Sequence, residues 1–148
     1  MKTEDGSIRN LGRFWVYWFP VVVYMSLMFF LSSMSTLPVA LPRIPLADKV
    51  CHCIEYAILG YLLTRALIHE NGSWLLRNAL LLAIAIAIVF GLSDEIHQLF
   101  VPLRQSDIFD LLADSIGACI GAWGAVGIQW FINLRARKGH DESESDIF

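Results

Sequence analysis

Between Phe14 and Met34 the chain carries no charged side chain and is almost wholly apolar. A hydrocarbon core about 30 Å thick takes roughly 20 apolar residues of helix to cross, and this stretch is long enough. A helix satisfies all its backbone N–H and C=O groups within one segment, which lipid demands. The apolar core of a secretory leader usually runs about 7 to 15 residues, so a leader fits this stretch less well, and Trp15 and Trp18 stand at its start.

Three further stretches, Val50 to Ile68, Leu75 to Ser93 and Leu111 to Ile132, are mostly apolar and separated by short polar or Pro/Gly-marked segments. The 148 residues are 56% hydrophobic and 17% charged, with a mean hydropathy of +0.56; a soluble domain is nearer half apolar and a quarter charged. Four such stretches, about 80 residues in all, cannot all be hidden inside a soluble domain of this size. The expected fold is an all-α membrane protein: a four-transmembrane-helix bundle forming one domain over residues 1–148, with tails at 1–13 and 133–148. The net charge of −3 leaves no basic footprint for nucleic acid; the partner to expect is the lipid bilayer.

Orientation follows from Lys and Arg in the short flanks, which favour the cytoplasm. Lys2, Arg9, Arg13, Arg65, Arg77, Arg135, Arg137 and Lys138 fall on one side of a four-span topology, and Arg43, Lys49 and Arg104 on the other. Both termini are therefore expected to be cytoplasmic. Trp15, Trp74 and Trp130 then stand near the cytoplasmic ends of their helices, as an interfacial aromatic belt would.

The opposite, outward side collects Asp48, Glu55, Asp94, Glu95, Asp107, Asp110 and Asp114, half of the 14 acidic residues. Asp48, His52, Glu55 and Tyr56 share one helical stripe; Asp107, Asp110 and Asp114 share another; Asp94, His97 and Gln98 make a third. Polar groups facing lipid would be unsatisfied, so the three stripes are expected to turn inward onto a shared pocket. Ion pairs that merely position the helices are the plainer alternative. Gly117, Gly121 and Gly124 form a small-residue stripe suited to close helix packing. Three cysteines cannot all pair within the chain, and Cys51 and Cys53, two residues apart on a helix, point to different sides and make a poor zinc clamp with His52.

Asp48-Lys49-Val50-Cys51-His52 with Tyr56 and Gly60, then Ser93-Asp94-Glu95-Ile96-His97-Gln98-Leu99-Phe100-Val101-Pro102, Arg104, Asp107, Asp110 and Ala113-Asp114 through Gly117, resemble the VanZ-like family of small bacterial membrane proteins. The resemblance covers roughly Asp48 to Gly121. Leu103 departs from it, since the family usually has Gly between the Pro and the Arg, and Asp107 is less typical than Asp110. The resemblance implies a multi-pass protein of the bacterial inner (cytoplasmic) membrane, in a family whose founding member is associated with resistance to the glycopeptide teicoplanin. It supplies no molecular mechanism.

Two functions suit these residues. In the first, the pocket binds an envelope lipid, a lipid-linked peptidoglycan precursor or a glycopeptide, with Lys49, Tyr56, Gln98, Arg104 and Asp114 as binding residues. In the second, it is an enzyme acting on a phosphate-bearing or lipid-linked substrate at the outer leaflet. Asp48, Asp94, Glu95, Asp107 and Asp110 would then hold Mg²⁺ or Ca²⁺, hard cations that take oxygen ligands. His52, Asp94, Glu95, His97 and Asp110 are the candidate catalytic groups, the histidines as proton carriers. Lys49 and Arg104 would meet an anionic head group. No nucleophile signature accompanies them. Proton or ion movement through Asp114, Glu55 and His52 is a third reading, but the inward halves of the spans carry no matching ionisable chain.

Overall fold

The computed structural model describes residues 11–34, 46–102, 104 and 106–145. Among these are four helices and no strand: α1 (Leu11–Ser32), α2 (Ala47–Ile68), α3 (Ser73–Gln98) and α4 (Ile108–Ser145). All four are long and apolar enough to cross a membrane, α4 over Ile108–Lys138. The first connection, with Pro38, Pro42, Arg43 and Pro45, lies outside the described residues, as do Leu103 and residues 1–10.

The helices do not end where the apolar runs end. α3 continues past Ser93 to Gln98, so Asp94, Glu95 and His97 stand on its last turns, as the shared stripe of Asp94, His97 and Gln98 requires. α4 continues past Ile132 to Ser145, so most of the tail expected over 133–148 is helical. The added turns hold good helix formers such as Arg135, Ala136, Arg137 and Lys138. The Arg135 guanidinium lies over the Phe131 ring at 4.4 Å, and Gln129 Nε2 donates to Asn133 Oδ1 at 3.2 Å one turn on.

α2 is the central helix, in contact with each of the other three. Its approach to α4 is the closest in the bundle, because small residues let the backbones meet. A Cβ on Gly117 would strike the Cys53 carbonyl, one on Gly121 the Ala57 carbonyl, and one on Gly60 the Ala118 carbonyl. Gly124 corrects the expected stripe: nothing lies within 4 Å of the place its Cβ would take, and Ala118, Ala122 and Ala125 supply the buried face instead. On α3 the same role falls to Ala79, Ala83, Ala87 and Gly91, spaced one turn apart. Tyr56, Leu59, Leu63 and Leu67 of α2 complete the core. The large apolar residues left exposed, among them Val22, Phe30, Leu81, Val89 and Trp123, form the outer surface that lipid would cover.

α1 is held more lightly, burying only Val21, Met28 and Ser32. Pro20 lacks an N–H and its ring crowds the carbonyl four residues back, that of Val16. The helix relieves this with a wider π-helical segment over Phe14–Trp18, in which Phe19 N–H donates to Phe14 O. The freed Val16 carbonyl accepts from Arg65 Nη1 at 3.4 Å. Nearby, Trp18 Nε1 donates to Glu70 Oε1 at 2.6 Å and Tyr17 stacks on His69 at 4.1 Å. These contacts fasten the start of α1 to the end of α2, opposite the site.

Candidate functional site

The end of α1, the start of α2, the end of α3 and the start of α4 meet at one end of the bundle, and the acidic groups gather there in three clusters. The first is centred on Lys49. Its ammonium lies 2.6 Å from Asp110 Oδ1, 2.7 Å from Asp107 Oδ2 and 3.1 Å from Asp48 Oδ2. Asp107 also caps α4: its Oδ1 accepts from the Phe109 N–H at 2.9 Å, satisfying one of the free donors of the first turn. The Lys49 ammonium, with the Phe109 N–H behind it, holds the Asp107 carboxyl below the usual carboxylate range.

The second cluster lies deeper. His52 Nδ1 is 2.9 Å from Asp114 Oδ1. Glu95 Oε2 accepts from Ser106 Oγ at 2.7 Å and from the Asp107 N–H at 2.9 Å, which pins the loop ahead of α4 onto α3. One donor atom from each of His52, Glu95 and Asp114 falls within 4.8 Å of the other two. Glu95 and Asp114 are buried to 5% and 1% exposure.

The third is an open cleft of about 100 Å³ between α1, α2 and α3. Asp48, His52, Glu55 and Tyr56 line it from α2, Asp94 and Gln98 from α3, and Met28, Leu31 and Ser32 from α1, with Arg104 at its edge. Gln98 Nε2 bridges Asp94 Oδ2 at 2.9 Å and Ser32 Oγ at 3.2 Å. Arg104 spends two donors on carbonyls at and just past the end of α1, Leu31 O at 3.4 Å and Met34 O at 3.2 Å. The cleft thus offers carboxylate acceptors, an amide, a hydroxyl and one guanidinium beside an apolar wall, a lining suited to hydrogen-bonding a polar head group.

The family model VanZ/LLP1 matches residues 7–132. The chain belongs to the VanZ/LLP1 family. The match takes in α1 as well as the three later helices, more of the chain than the motif-bearing stretch from Asp48 to Gly121. No curated protein and no solved structure matches this VanZ/LLP1 chain.

The geometry divides the residues that the VanZ-like motifs single out. His52, Tyr56, Asp94, Gln98 and Arg104 stand on the cleft with Asp48. Lys49, Asp107 and Asp110 pair with one another at the bundle end, and Glu95 and Asp114 lie beneath with His52. His97 turns away: its Nε2 is 3.0 Å from Ser33 Oγ and its ring rests 4.6 Å from that of Phe29. The five carboxylates expected to share a Mg²⁺ or Ca²⁺ are not one cluster, because the Lys49 ammonium already stands among Asp48, Asp107 and Asp110.

Several contributors to the VanZ/LLP1 site were not on the expected list. Ser32 brings α1 into it, and the only sequence sign was its hydroxyl near the close of the first apolar run. Ser106 secures Glu95 from a loop position with no helical periodicity to mark it.

Proposed function

We propose that this protein is a non-catalytic binder that captures the polar head of an envelope lipid, a lipid-linked peptidoglycan precursor or a glycopeptide in the cleft, and so contributes to glycopeptide (teicoplanin) resistance. The observation that carries the reading is the cleft lining, where Asp48, Glu55 and Asp94 stand around a space of about 100 Å³ with Arg104 at its edge. Amine and hydroxyl donors of sugars and peptides find acceptors there, and the apolar α1 wall of Met28 and Leu31 suits an adjoining acyl chain. In this reading the protein is multi-pass in the bacterial inner membrane, the cleft faces outward and both termini are cytoplasmic. The basic residues Arg65, Arg77, Arg135 and Arg137, at the opposite ends of the helices, support that orientation. A Mg²⁺- or Ca²⁺-dependent enzyme using Asp48, Asp94, Glu95, Asp107 and Asp110 is less well supported, since a lysine ammonium holds three of the five.

The test is binding of fluorescent teicoplanin and of a labelled lipid-linked precursor to the protein in detergent. Asp94→Asn and Arg104→Ala are expected to weaken binding by at least about tenfold, the size of one lost polar contact, with helicity unchanged. Unaltered binding and unaltered resistance in folded variants would overturn the reading. A Ser106→Cys variant lacking the native cysteines is expected to react with an impermeant thiol reagent in intact cells; labelling only after lysis would reverse the orientation.

A further inference from the structure

Each carboxylate of the deep cluster has one oxygen fixed by the protein and one left over. Glu95 Oε2 is held by Ser106 Oγ and the Asp107 N–H, and Asp114 Oδ1 by the His52 ring. Glu95 Oε1 and Asp114 Oδ2 are shut off from solvent and have no hydrogen-bond partner among the described residues. Burying ionised carboxylates without compensation is costly, and the nearby cations are engaged elsewhere: Lys49 with Asp48, Asp107 and Asp110, Arg104 with the α1 carbonyls. One imidazole is left facing two carboxylates.

We propose that His52, Glu95 and Asp114, one from each of α2, α3 and α4, hold a Zn²⁺ ion beneath the floor of the cleft. Protein ligands lie about 2.0–2.2 Å from zinc in a tetrahedral array, which sets them about 3.3–3.6 Å apart; the three donors, within 4.8 Å of one another, close by at most about 1.5 Å, within reach of side-chain rotation. The donor set decides the metal class. Mg²⁺ and Ca²⁺ take oxygen ligands, whereas imidazole nitrogen suits zinc and its neighbours. The Ser106 and Asp107 contacts orient Glu95 in the way outer partners orient metal ligands. Three protein ligands leave a coordination position open, and His52, which also lines the cleft, puts that position within reach of a bound head group.

This site stands or falls apart from the binding reading, because its test uses zinc alone. Full-length protein in detergent is stripped with chelator, reloaded with Zn²⁺, desalted and analysed for metal, with about one zinc per chain expected for a folded site. Glu95→Gln, Asp114→Asn and His52→Gln are each expected to lower zinc affinity at least about tenfold, whereas Gly124→Ala, remote from the three ligands, leaves it unchanged. Co²⁺ in place of Zn²⁺ is expected to give visible d–d bands without sulfur charge-transfer absorption. Circular dichroism checks each variant, and those that fold are read. Any of three results overturns the assignment: folded wild-type protein without stoichiometric zinc, folded variants that keep wild-type affinity, or cobalt–thiolate bands that place the metal on Cys51, Cys53 or Cys119. Tighter retention of Mg²⁺ or Ca²⁺ than of Zn²⁺ overturns it as well.

Discussion

The Lys49 ammonium, 2.6 Å from Asp110 Oδ1, fastens the first turn of α2 to the first turn of α4. Removing one partner of a buried ion pair costs about 3–5 kcal/mol, but Lys49 is 22% exposed beside an Asp110 side chain at 9%, which lessens the effect. Lys49→Met is therefore expected to destabilise the protein by about 1–3 kcal/mol. The measurement is thermal denaturation in detergent, with Lys49→Arg as the charge-preserving comparison. An unchanged melting temperature in Lys49→Met would show that the pair does not hold these helices together.

Asp107 has two duties that substitution can separate. Asp107→Ala removes both the cap on Phe109 and a partner of Lys49, and is expected to lower the melting temperature. Asp107→Asn keeps a capping oxygen and loses the charge, so it should cost less at neutral pH. Because the folded protein holds this carboxyl below its ordinary range, its charge contributes stability above the unfolded-state value of about 3.9 and loses it as pH falls through the lower folded-state value. The stability gap between wild type and Asp107→Asn should accordingly shrink on acidification below that range. A gap that widens there would contradict the assignment.

Gly121 and Gly124 differ by one turn and should differ in consequence. Gly121→Ala drives a methyl into the Ala57 carbonyl, and α2 and α4 must separate to admit it; overpacking of this kind typically costs about 1–3 kcal/mol. Gly124→Ala meets nothing within 4 Å and should leave the melting temperature level or raise it, as Ala is the better helix former by up to about 1 kcal/mol. Equal effects of the two changes would refute the α2–α4 contact described.

Arg104 acts as a tie to the end of α1, donating to Leu31 O in its last turn and to Met34 O just beyond it. Arg104→Ala is expected to cost about 1–2 kcal/mol and to raise the thiol reactivity of a Cys placed at Met34. Arg104→Lys, with its single ammonium, should recover part of this. If the reactivity at position 34 does not change, Arg104 does not secure the helix end.

The four spans were legible because lipid imposes a length and a polarity that few residues evade. The helix ends were not, since hydropathy stops at the first charge. Glu95 belongs to none of the three stripes, and its place shows only in the contacts from Ser106 and the Asp107 N–H that satisfy it inside the bundle. Stripe reasoning placed His52, Tyr56, Asp94 and Gln98 near one another, because helical period fixes a face. It could not choose partners across helices. The capture of Lys49 by three acids, the turn of His97 toward Phe29, and the split of Asp114 from Asp110 depend on the azimuth of each helix, which no single stripe encodes. Gly124 shows the same limit in small residues: spacing proposed it for the interface, and the rotation of α4 left it outside.

The backbone contact of α2 with α4 at Gly117 and Gly121 also determines where this molecule can yield. Two helices packed main chain against main chain have no side-chain slack to take up and behave as a stiff stem, with α3 laid along it on alanines. α1 is strapped at its two ends, by Trp18 and Arg65 at one and by Ser32 and Arg104 at the other. The most lightly packed wall of the cleft is thus the helix that turns Val22 and Phe30 outward. In the binding reading proposed above, an amphiphile need not leave the membrane to arrive: its tail would stay in the lipid while its head passed α1.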